Sequence, residues 1–203
     1  MPIVYTDPES SVHFLPLDLG SLASVRQTAG QFFAQWNKLE VLINNAGIAA
    51  APLRYTPDGF ELQFATNFLG HFLLVQLLLP ALREAAPARV VSLTSGTHRA
   101  SDIHFDDIQY QHRPYDKWEA YGQSKTADAL LAVALTRHFG AQGITANAVN
   151  PGGIRTGLQE QYLTPEEIRD NPEISTLTGY MPYALNADHA KQLWTTAEKL
   201  VES

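Results

Sequence analysis

The chain has 203 residues, of which 45% are hydrophobic and 17% are charged, a composition that fits one globular domain over residues 1–203. Its 14 basic and 21 acidic residues give a formal charge of −7 without any basic run, which argues against nucleic acid and anionic membrane surfaces as partners. The sequence contains no cysteine, which excludes disulfides, thiolate catalysis and cysteine-ligated zinc.

The sequence carries no recognisable targeting segment. Residues 1–9 have neither a basic region nor an apolar run of signal length, so we expect a cytoplasmic protein. The most apolar stretch, from Phe68 to Leu82, is about 15 residues long and is interrupted by polar residues and a proline, which makes it too short for a transmembrane helix. We therefore expect no membrane span.

Predicted strands and helices alternate along the chain. Short apolar segments predict strands at residues 12–17, 39–43, 89–94 and 144–149. Longer periodic segments predict helices at residues 21–36, 60–79, 118–139, 164–169 and 188–201, the first capped by Ser21 and the fourth by Thr164. This β-α-β-α-β-α-β order predicts a single α/β domain in which a doubly wound parallel sheet carries helices on both faces.

Polar and glycine-rich residues follow each predicted strand, at Asp18, 44–47, 94–96 and 150–153. The carboxyl ends of parallel strands meet at one edge of the sheet, which is where ligands bind in such folds. One polar strand end is usually only a turn. The coincidence of all four predicts a ligand site at this edge.

A tyrosine and a lysine lie at the start of the predicted helix 118–139. Tyr121 and Lys125 are separated by one helical turn and should project from the same face. A nearby ammonium stabilises a phenolate, and so it lowers the pKa of a tyrosine hydroxyl from about 10. An isolated Y-x-x-x-K pattern also arises by chance in amphipathic helices, so its significance depends on the polar strand ends.

With these features, the chain resembles the short-chain dehydrogenase/reductase family, and in detail its retinol-dehydrogenase-like branch. The motifs that carry the resemblance, in the family's order and spacing, are residues 44–47 (Asn-Asn-Ala-Gly), Asn67, Ser95, Tyr121 with Lys125, and residues 150–152 (Asn-Pro-Gly). The resemblance implies a Rossmann-like sheet and an NAD(P)-dependent oxidoreductase that interconverts a small-molecule carbonyl and alcohol. It slightly favours NADP over NAD, and it implies a possible homodimer interface formed by helices 60–79 and 118–139.

The resemblance assigns catalytic roles to four residues. Tyr121 would be the general acid in reduction and the base in oxidation, while Lys125 would lower the pKa of Tyr121 and bind the nicotinamide ribose. Ser95 would hold the substrate oxygen through a second hydrogen bond. Asn67 would position a water that links Lys125 to solvent, although an asparagine inside a helix also bonds locally.

The resemblance also implies a set of cofactor contacts. Asp18 would contact the adenine, although the dipole of the following helix favours an acid there in any case. The adenine ribose would lie beside Asn45, Ala46 and Gly47. The nicotinamide and its ribose would contact Tyr121, Lys125, Pro151, Gly152, Ile154 and Thr156. No metal site is expected, because the spacing of the histidines in the loop before Tyr121 fits no metal motif.

One motif of the family is missing. The glycine-rich turn T-G-x-x-x-G-x-G does not occur, and the first glycine is Gly20. We therefore expect a truncated sheet that lacks the family's first two strands. In the family's strand order their loss leaves a gap of about 14 Å between strands 12–17 and 39–43. Either these strands pair directly, or strand 12–17 detaches and exposes an apolar edge.

Two alternatives to an active reductase remain. A non-catalytic remnant, acting if at all through a dimerisation surface, would explain why half of the cofactor platform is missing. A sugar-nucleotide epimerase or dehydratase of the related long-chain group also uses Y-x-x-x-K, but residues 44–47 and the short chain argue against it. The sequence leaves open the substrate, the direction of reaction and the choice between NAD and NADP.

Overall fold

The computed structural model describes residues 12–152, 161–169 and 179–202. Strands are formed by Val41–Asn44 (β1), Ala88–Leu93 (β2) and Ile144–Val149 (β3). Helices are formed by Leu22–Phe33 (α1), Leu62–Ala85 (α2), Lys117–Phe139 (α3), Pro165–Arg169 (α4) and Ala187–Glu202 (α5), and 3₁₀ turns by Gly96–Ala100, Gly140–Gln142 and Pro182–Leu185. Each predicted helix is present, with ends shifted by a few residues.

The strands form one parallel sheet in the order β1-β2-β3. The register places Asn44 beside Ser92, and Leu93 beside Val149. The last residues of all three strands therefore lie at the same edge of the sheet, as the sequence predicted. The predicted α/β fold with a parallel sheet is confirmed.

The predicted strand at residues 12–17 is wrong, because this segment forms no strand. Within the described residues β1 pairs with β2 alone, so this segment does not pair with the free edge of β1. The segment instead contacts α1, where the hydroxyl of Thr28 donates a hydrogen bond to the carbonyl of Pro16. Phe14 is 81% exposed. Of the two expected arrangements, the structure shows the detached one.

Helix α2 is a buried core helix with an irregular second turn. It begins at Leu62 because the buried carboxylate of Glu61 accepts hydrogen bonds from the backbone N–H groups of Gln63 and Phe64 at 3.0 and 2.7 Å. Ala65–Leu69 form a π turn, a feature frequent at functional sites. By length and composition α2 is a weak candidate for a membrane span, but 78% of its apolar window is buried inside the protein.

The final helix α5 packs over α2 and α3. The ring of Trp194 lies 5.0 Å from that of Phe72 on α2 and 4.7 Å from that of His138 on α3, measured between centroids. Leu193 beside it is buried. Part of the apolar surface that the resemblance assigns to a homodimer is therefore covered by the same chain. A homodimer through α2 and α3 stays a prediction.

Close packing between α2 and the segment before α1 requires a glycine at position 70. A Cβ atom added to Gly70 would lie 2.4 Å from the carbonyl oxygen of Leu19, whereas a Cβ added to Gly30 in α1 would meet nothing within 4 Å. Both glycines lie in helices. The two positions therefore provide a matched pair for testing this contact.

We predict that Gly70→Ala destabilises the protein by about 1–3 kcal/mol, because the backbone at Leu19 must move to admit the methyl group. The control Gly30→Ala should stabilise it by up to about 1 kcal/mol, since alanine has the higher helix propensity. Urea unfolding of both variants and the wild type measures the difference. Equal unfolding midpoints for the two variants would contradict this packing.

Candidate active site

Tyr121 and Lys125 are buried one turn apart in α3. The helix begins close to Tyr121 because the Asp116 carboxylate accepts hydrogen bonds from the backbone N–H groups of Trp118 and Glu119, at 2.9 and 2.8 Å. The Nζ atom of Lys125 lies 5.8 Å from the centroid of the Tyr121 ring. The predicted shared face is confirmed, and the two groups are close enough for electrostatic coupling.

The ammonium of Lys125 is held between β2 and its own helix. Its Nζ donates hydrogen bonds to the carbonyl of Leu93 at 2.9 Å and to Oδ2 of Asp128 at 2.8 Å. The third N–H has no acceptor among the residues that the structure describes. Burial disfavours the charged form, but Asp128 and Tyr121 outweigh it and hold the pKa of Lys125 above its usual range. Lys125 is therefore a cation at neutral pH.

Asp128 is a member of the site that the sequence analysis missed. Its side chain is 3% exposed, and burial raises its pKa to about 6 against the opposing effects of Lys125. Its second oxygen, Oδ1, is buried with no hydrogen-bond partner in the described part of the chain. A signal was present, because Asp128 follows Lys125 by three residues and Tyr121 by seven, which places all three on one helical face.

Asn67 joins the loop after β1 to α3. Its side chain accepts a hydrogen bond from the backbone N–H of Ile48 at 2.8 Å, and it donates to the Ile48 carbonyl and to the hydroxyl of Ser124, both at 2.9 Å. A Cβ added to Gly47 would lie 2.8 Å from Oδ1 of Asn67 and 3.7 Å from Nζ of Lys125. The side chain therefore bonds to two other elements and not within its helix, and it brings Gly47 beside Lys125.

His71 supports Asn67 from the next turn of α2. Its Nδ1 lies 2.7 Å from the backbone carbonyl of Asn67, a contact in which the neutral ring donates its N–H. Burial lowers the pKa of His71 to about 4, the Asn67 carbonyl acts in the opposite direction, and the charge of Lys125 lowers it further. His71 is therefore neutral at physiological pH.

Ser95 lies at the end of β2 beside the Tyr121 helix. Its hydroxyl accepts a hydrogen bond from the backbone N–H of Thr97 and donates to the Thr97 hydroxyl, both at 3.2 Å. A Cβ added to Gly122 would lie 2.7 Å from the Thr97 carbonyl, so this turn packs directly against α3. No hydrogen bond joins Ser95 to Tyr121, although both lie in the described residues.

The predicted nicotinamide and ribose contacts lie at the same edge of the sheet where they are described. Residues 45–46 are exposed directly after β1, as are Pro151 and Gly152 after β3. Gly152 has a φ of 78°, and an added Cβ would meet nothing within 4 Å, so open space adjoins this turn. Ile154 and Thr156 lie outside the described residues.

Asp18 is not brought to Tyr121 and Lys125. Its Oδ1 accepts a hydrogen bond from the backbone N–H of Gly20, and its own N–H donates to the hydroxyl of Ser24, both at 2.9 Å. The residue thus shapes the turn that enters α1, and it is exposed. Its assigned adenine contact stays a prediction.

Two buried polar side chains at the ligand edge have no hydrogen-bond partners in the described part of the chain. Asn44 and Ser92 face each other in the β1–β2 register, and neither the amide of Asn44 nor the hydroxyl of Ser92 is hydrogen-bonded within the described residues. A buried polar group without a partner costs about 1–3 kcal/mol and calls for an explanation. Buried polar groups without partners are expected where a bound ligand, or another segment of chain, supplies the missing hydrogen bonds.

The chain is similar to known proteins over most of its length. Residues 4–167 match the family model described as short chain dehydrogenase. The chain is 50% identical to a "Probable oxidoreductase" of Streptomyces lividans over 160 residues, which are 78% of this chain and 52% of that protein. It is 46% identical to human retinol dehydrogenase 13 over 142 residues, 70% of this chain and 43% of that protein. The chain spans about half the length of the curated relatives it matches.

Solved structures agree with these matches. A structure of an uncharacterized protein from Mycobacterium paratuberculosis is 34% identical with a TM-score of 0.72, covering 92% of this chain and 74% of that chain. RhlG of Pseudomonas aeruginosa, solved in complex with NADP, is 26% identical with a TM-score of 0.56, covering 92% of this chain and 68% of that chain. The resemblance stated from the sequence motifs, including its retinol-dehydrogenase-like branch, is confirmed.

The burial of His71 predicts a loss of stability on acidification. Its pKa is about 4 in the folded state against 6.5 for an unperturbed histidine, so the unfolded chain binds more protons between these pH values. The variant His71→Gln keeps an N–H donor near the Asn67 carbonyl and does not titrate. Relative to this variant, the free energy of unfolding of the wild type should fall by about 3 kcal/mol from pH 6.5 to pH 4.

Urea unfolding of both proteins at a series of pH values measures this difference. Carboxylates titrate in both proteins, and their contribution cancels in the comparison. Parallel stability curves for the wild type and His71→Gln would show that His71 is not held neutral by burial.

Proposed function

This chain belongs to the short-chain dehydrogenase/reductase family, and we propose that it is an NAD(P)-dependent oxidoreductase that interconverts a carbonyl and an alcohol. The observation that carries the proposal is the buried pair of Tyr121 and Lys125, with the ammonium 5.8 Å from the centroid of the phenol ring. The pair lies at the edge where the polar strand ends meet. A cation beside a phenol favours proton transfer at a substrate oxygen near neutral pH.

In the proposed reaction, Tyr121 donates its hydroxyl proton to the carbonyl oxygen during reduction and accepts the alcohol proton during oxidation. Lys125 stabilises the tyrosinate that forms when Tyr121 gives up its proton. Ser95 supplies a second hydrogen bond to the substrate oxygen, for which its hydroxyl turns away from Thr97. The nicotinamide cofactor, when bound, supplies or accepts the hydride.

The described residues fit the nicotinamide and the riboses of such a cofactor. One N–H of Lys125 lacks an acceptor, Gly152 adjoins open space, and residues 45–46 are exposed. We propose that these residues, with Tyr121, hold the nicotinamide and the riboses, and that NADP is favoured over NAD. The sequence has no glycine-rich turn for the pyrophosphate, so the affinity of this chain depends on these remaining contacts.

Asn67 contributes to the proposed site by holding other groups in place. Its bonds to Ile48 and Ser124 connect the loop after β1 with α3. This connection keeps Gly47 close to Lys125, so the riboses and the ammonium meet in one place. The water that the family resemblance assigns to Asn67 remains part of the proposal.

The alternative is a chain that no longer catalyses a reaction. The observation in its favour is the outer edge of β1, where Val41 and Ile43 are 47% and 59% exposed and no strand pairs in the described residues. A sheet left open at this edge offers a smaller platform for a dinucleotide. Cofactor binding separates the two proposals.

We predict saturable binding of NADPH, and weaker binding of NADH, by the purified chain. Titration followed by nicotinamide fluorescence measures both dissociation constants, and heat-unfolded protein is the control for non-specific signal. If neither nucleotide binds at millimolar concentration, the enzyme proposal fails for this chain and the non-catalytic alternative is supported.

We also predict that Tyr121→Phe reduces turnover of a reactive carbonyl by about 10²–10⁴-fold, because it removes the proton that general acid catalysis needs. Cofactor affinity should stay within a few-fold of wild type. The matched control is Tyr55→Phe, which removes a half-exposed hydroxyl that bonds to the Gln109 carbonyl away from the pair. Unchanged turnover in Tyr121→Phe would refute its role as the acid.

A further inference from the structure

The proposed reaction assigns no role to one buried carboxylate of the site. Asp128 is 2% exposed, and it lies on the same face of α3 as Tyr121 and Lys125. Its Oδ2 accepts the hydrogen bond of Lys125 at 2.8 Å, while Oδ1 is buried without a partner in the described residues. A buried carboxylate is costly unless it is paired, so its position beside the ammonium needs an explanation.

Two acceptors hold the Lys125 ammonium within the described part of the chain, and they differ in charge. The carbonyl of Leu93 at the end of β2 is neutral, whereas Asp128 is an anion. A buried ammonium bonded to neutral groups alone tends to lose its proton. The carboxylate therefore provides the charge that stabilises the protonated form of Lys125, and the pair of acceptors fixes where Nζ lies.

We propose that Asp128 is a positioning residue, whose carboxylate keeps Lys125 protonated and holds its ammonium between the end of β2 and the ring of Tyr121. The effect of Asp128 on the charge and position of Lys125 does not depend on a bound cofactor or substrate. The consequence for turnover rests on the proposed function, because Lys125 acts on the reaction through Tyr121.

The groups that face this ion pair come from four elements. Helix α3 contributes Tyr121, and α2 contributes His71, whose pKa the charge of Lys125 lowers. The end of β2 contributes the Leu93 carbonyl and the loop after β1 contributes Gly47, neither of which titrates. Asp128 is therefore the one carboxylate among these groups. Burial raises the pKa of Asp128 to about 6, so the carboxylate becomes ionised, and the pair charged, as the pH rises above this value.

The variant Asp128→Asn keeps the size and an oxygen acceptor but removes the charge. We expect the pKa of Lys125 to fall by at least about one unit in this variant, because burial is then opposed by neutral hydrogen bonds alone. The pKa is measured by NMR titration of protein labelled at the lysine side chains, of which the sequence has five, with Lys125→Met identifying the resonance. The matched control Asp106→Asn removes an exposed carboxylate and should leave the pKa of Lys125 unchanged.

The wild type gives a second measurement that needs no variant to fold. Its Lys125 resonance should show a step near pH 6 as Asp128 gains a proton. The absence of any such step between neutral pH and the onset of acid unfolding, or an unchanged Lys125 pKa in folded Asp128→Asn, overturns the proposal. Asp128→Glu restores the negative charge and should return the pKa of Lys125 toward the wild-type value.

Turnover supplies the readout that depends on the proposed function. The alkaline limb of the kcat–pH profile should shift to lower pH by at least about one unit in Asp128→Asn. The NADPH dissociation constant at pH 6 should stay unchanged. A shifted Lys125 pKa in a chain that binds no nicotinamide nucleotide would refute the proposed function and still support the hold of Asp128 on Lys125. A shifted Lys125 pKa with an unmoved kcat profile would refute the link to catalysis.

Discussion

The burial of a positive charge at Lys125 is the constraint on which the candidate site depends. Removing an ammonium from water is unfavourable unless hydrogen bonds and a negative charge replace the solvent. The carbonyl of Leu93 and the carboxylate of Asp128 provide this replacement. Since one acceptor is on β2 and the other on α3, the lysine retains its partners only while helix and strand are packed together. The charge beside Tyr121 is thus a product of the tertiary fold.

A second set of hydrogen bonds connects the site to the loop after β1. Asn67 lies in the π turn of α2, and its side chain bonds both to Ile48 after β1 and to Ser124 on α3. His71 binds the Asn67 backbone from the next turn and is held neutral by burial. Three elements therefore share one hydrogen-bonded network, in which a change at Asn67 would displace Gly47 from the ammonium.

The sheet is less complete at its β1 edge. The outer edge of β1 is unpaired in the described residues, residues 12–17 lie against α1, and the buried side chains of Asn44 and Ser92 have no partners there. The groups suited to proton transfer are assembled, whereas a glycine-rich turn for the pyrophosphate does not occur in this sequence.

Local sequence signals were sufficient for much of this structure. The helical periodicity of α3 placed Tyr121 and Lys125 on one face, and Ser21 and Thr164 cap α1 and α4 as predicted, because caps and periodicity depend on residues close in the chain. Motif spacing was likewise sufficient to identify the family.

Tertiary structure decided the rest. Residues 12–17 have strand propensity but lie against α1 and do not pair with the free edge of β1, and Asp128 became part of the site because α3 buries that face. Such outcomes depend on contacts between segments distant in sequence, which local patterns do not encode.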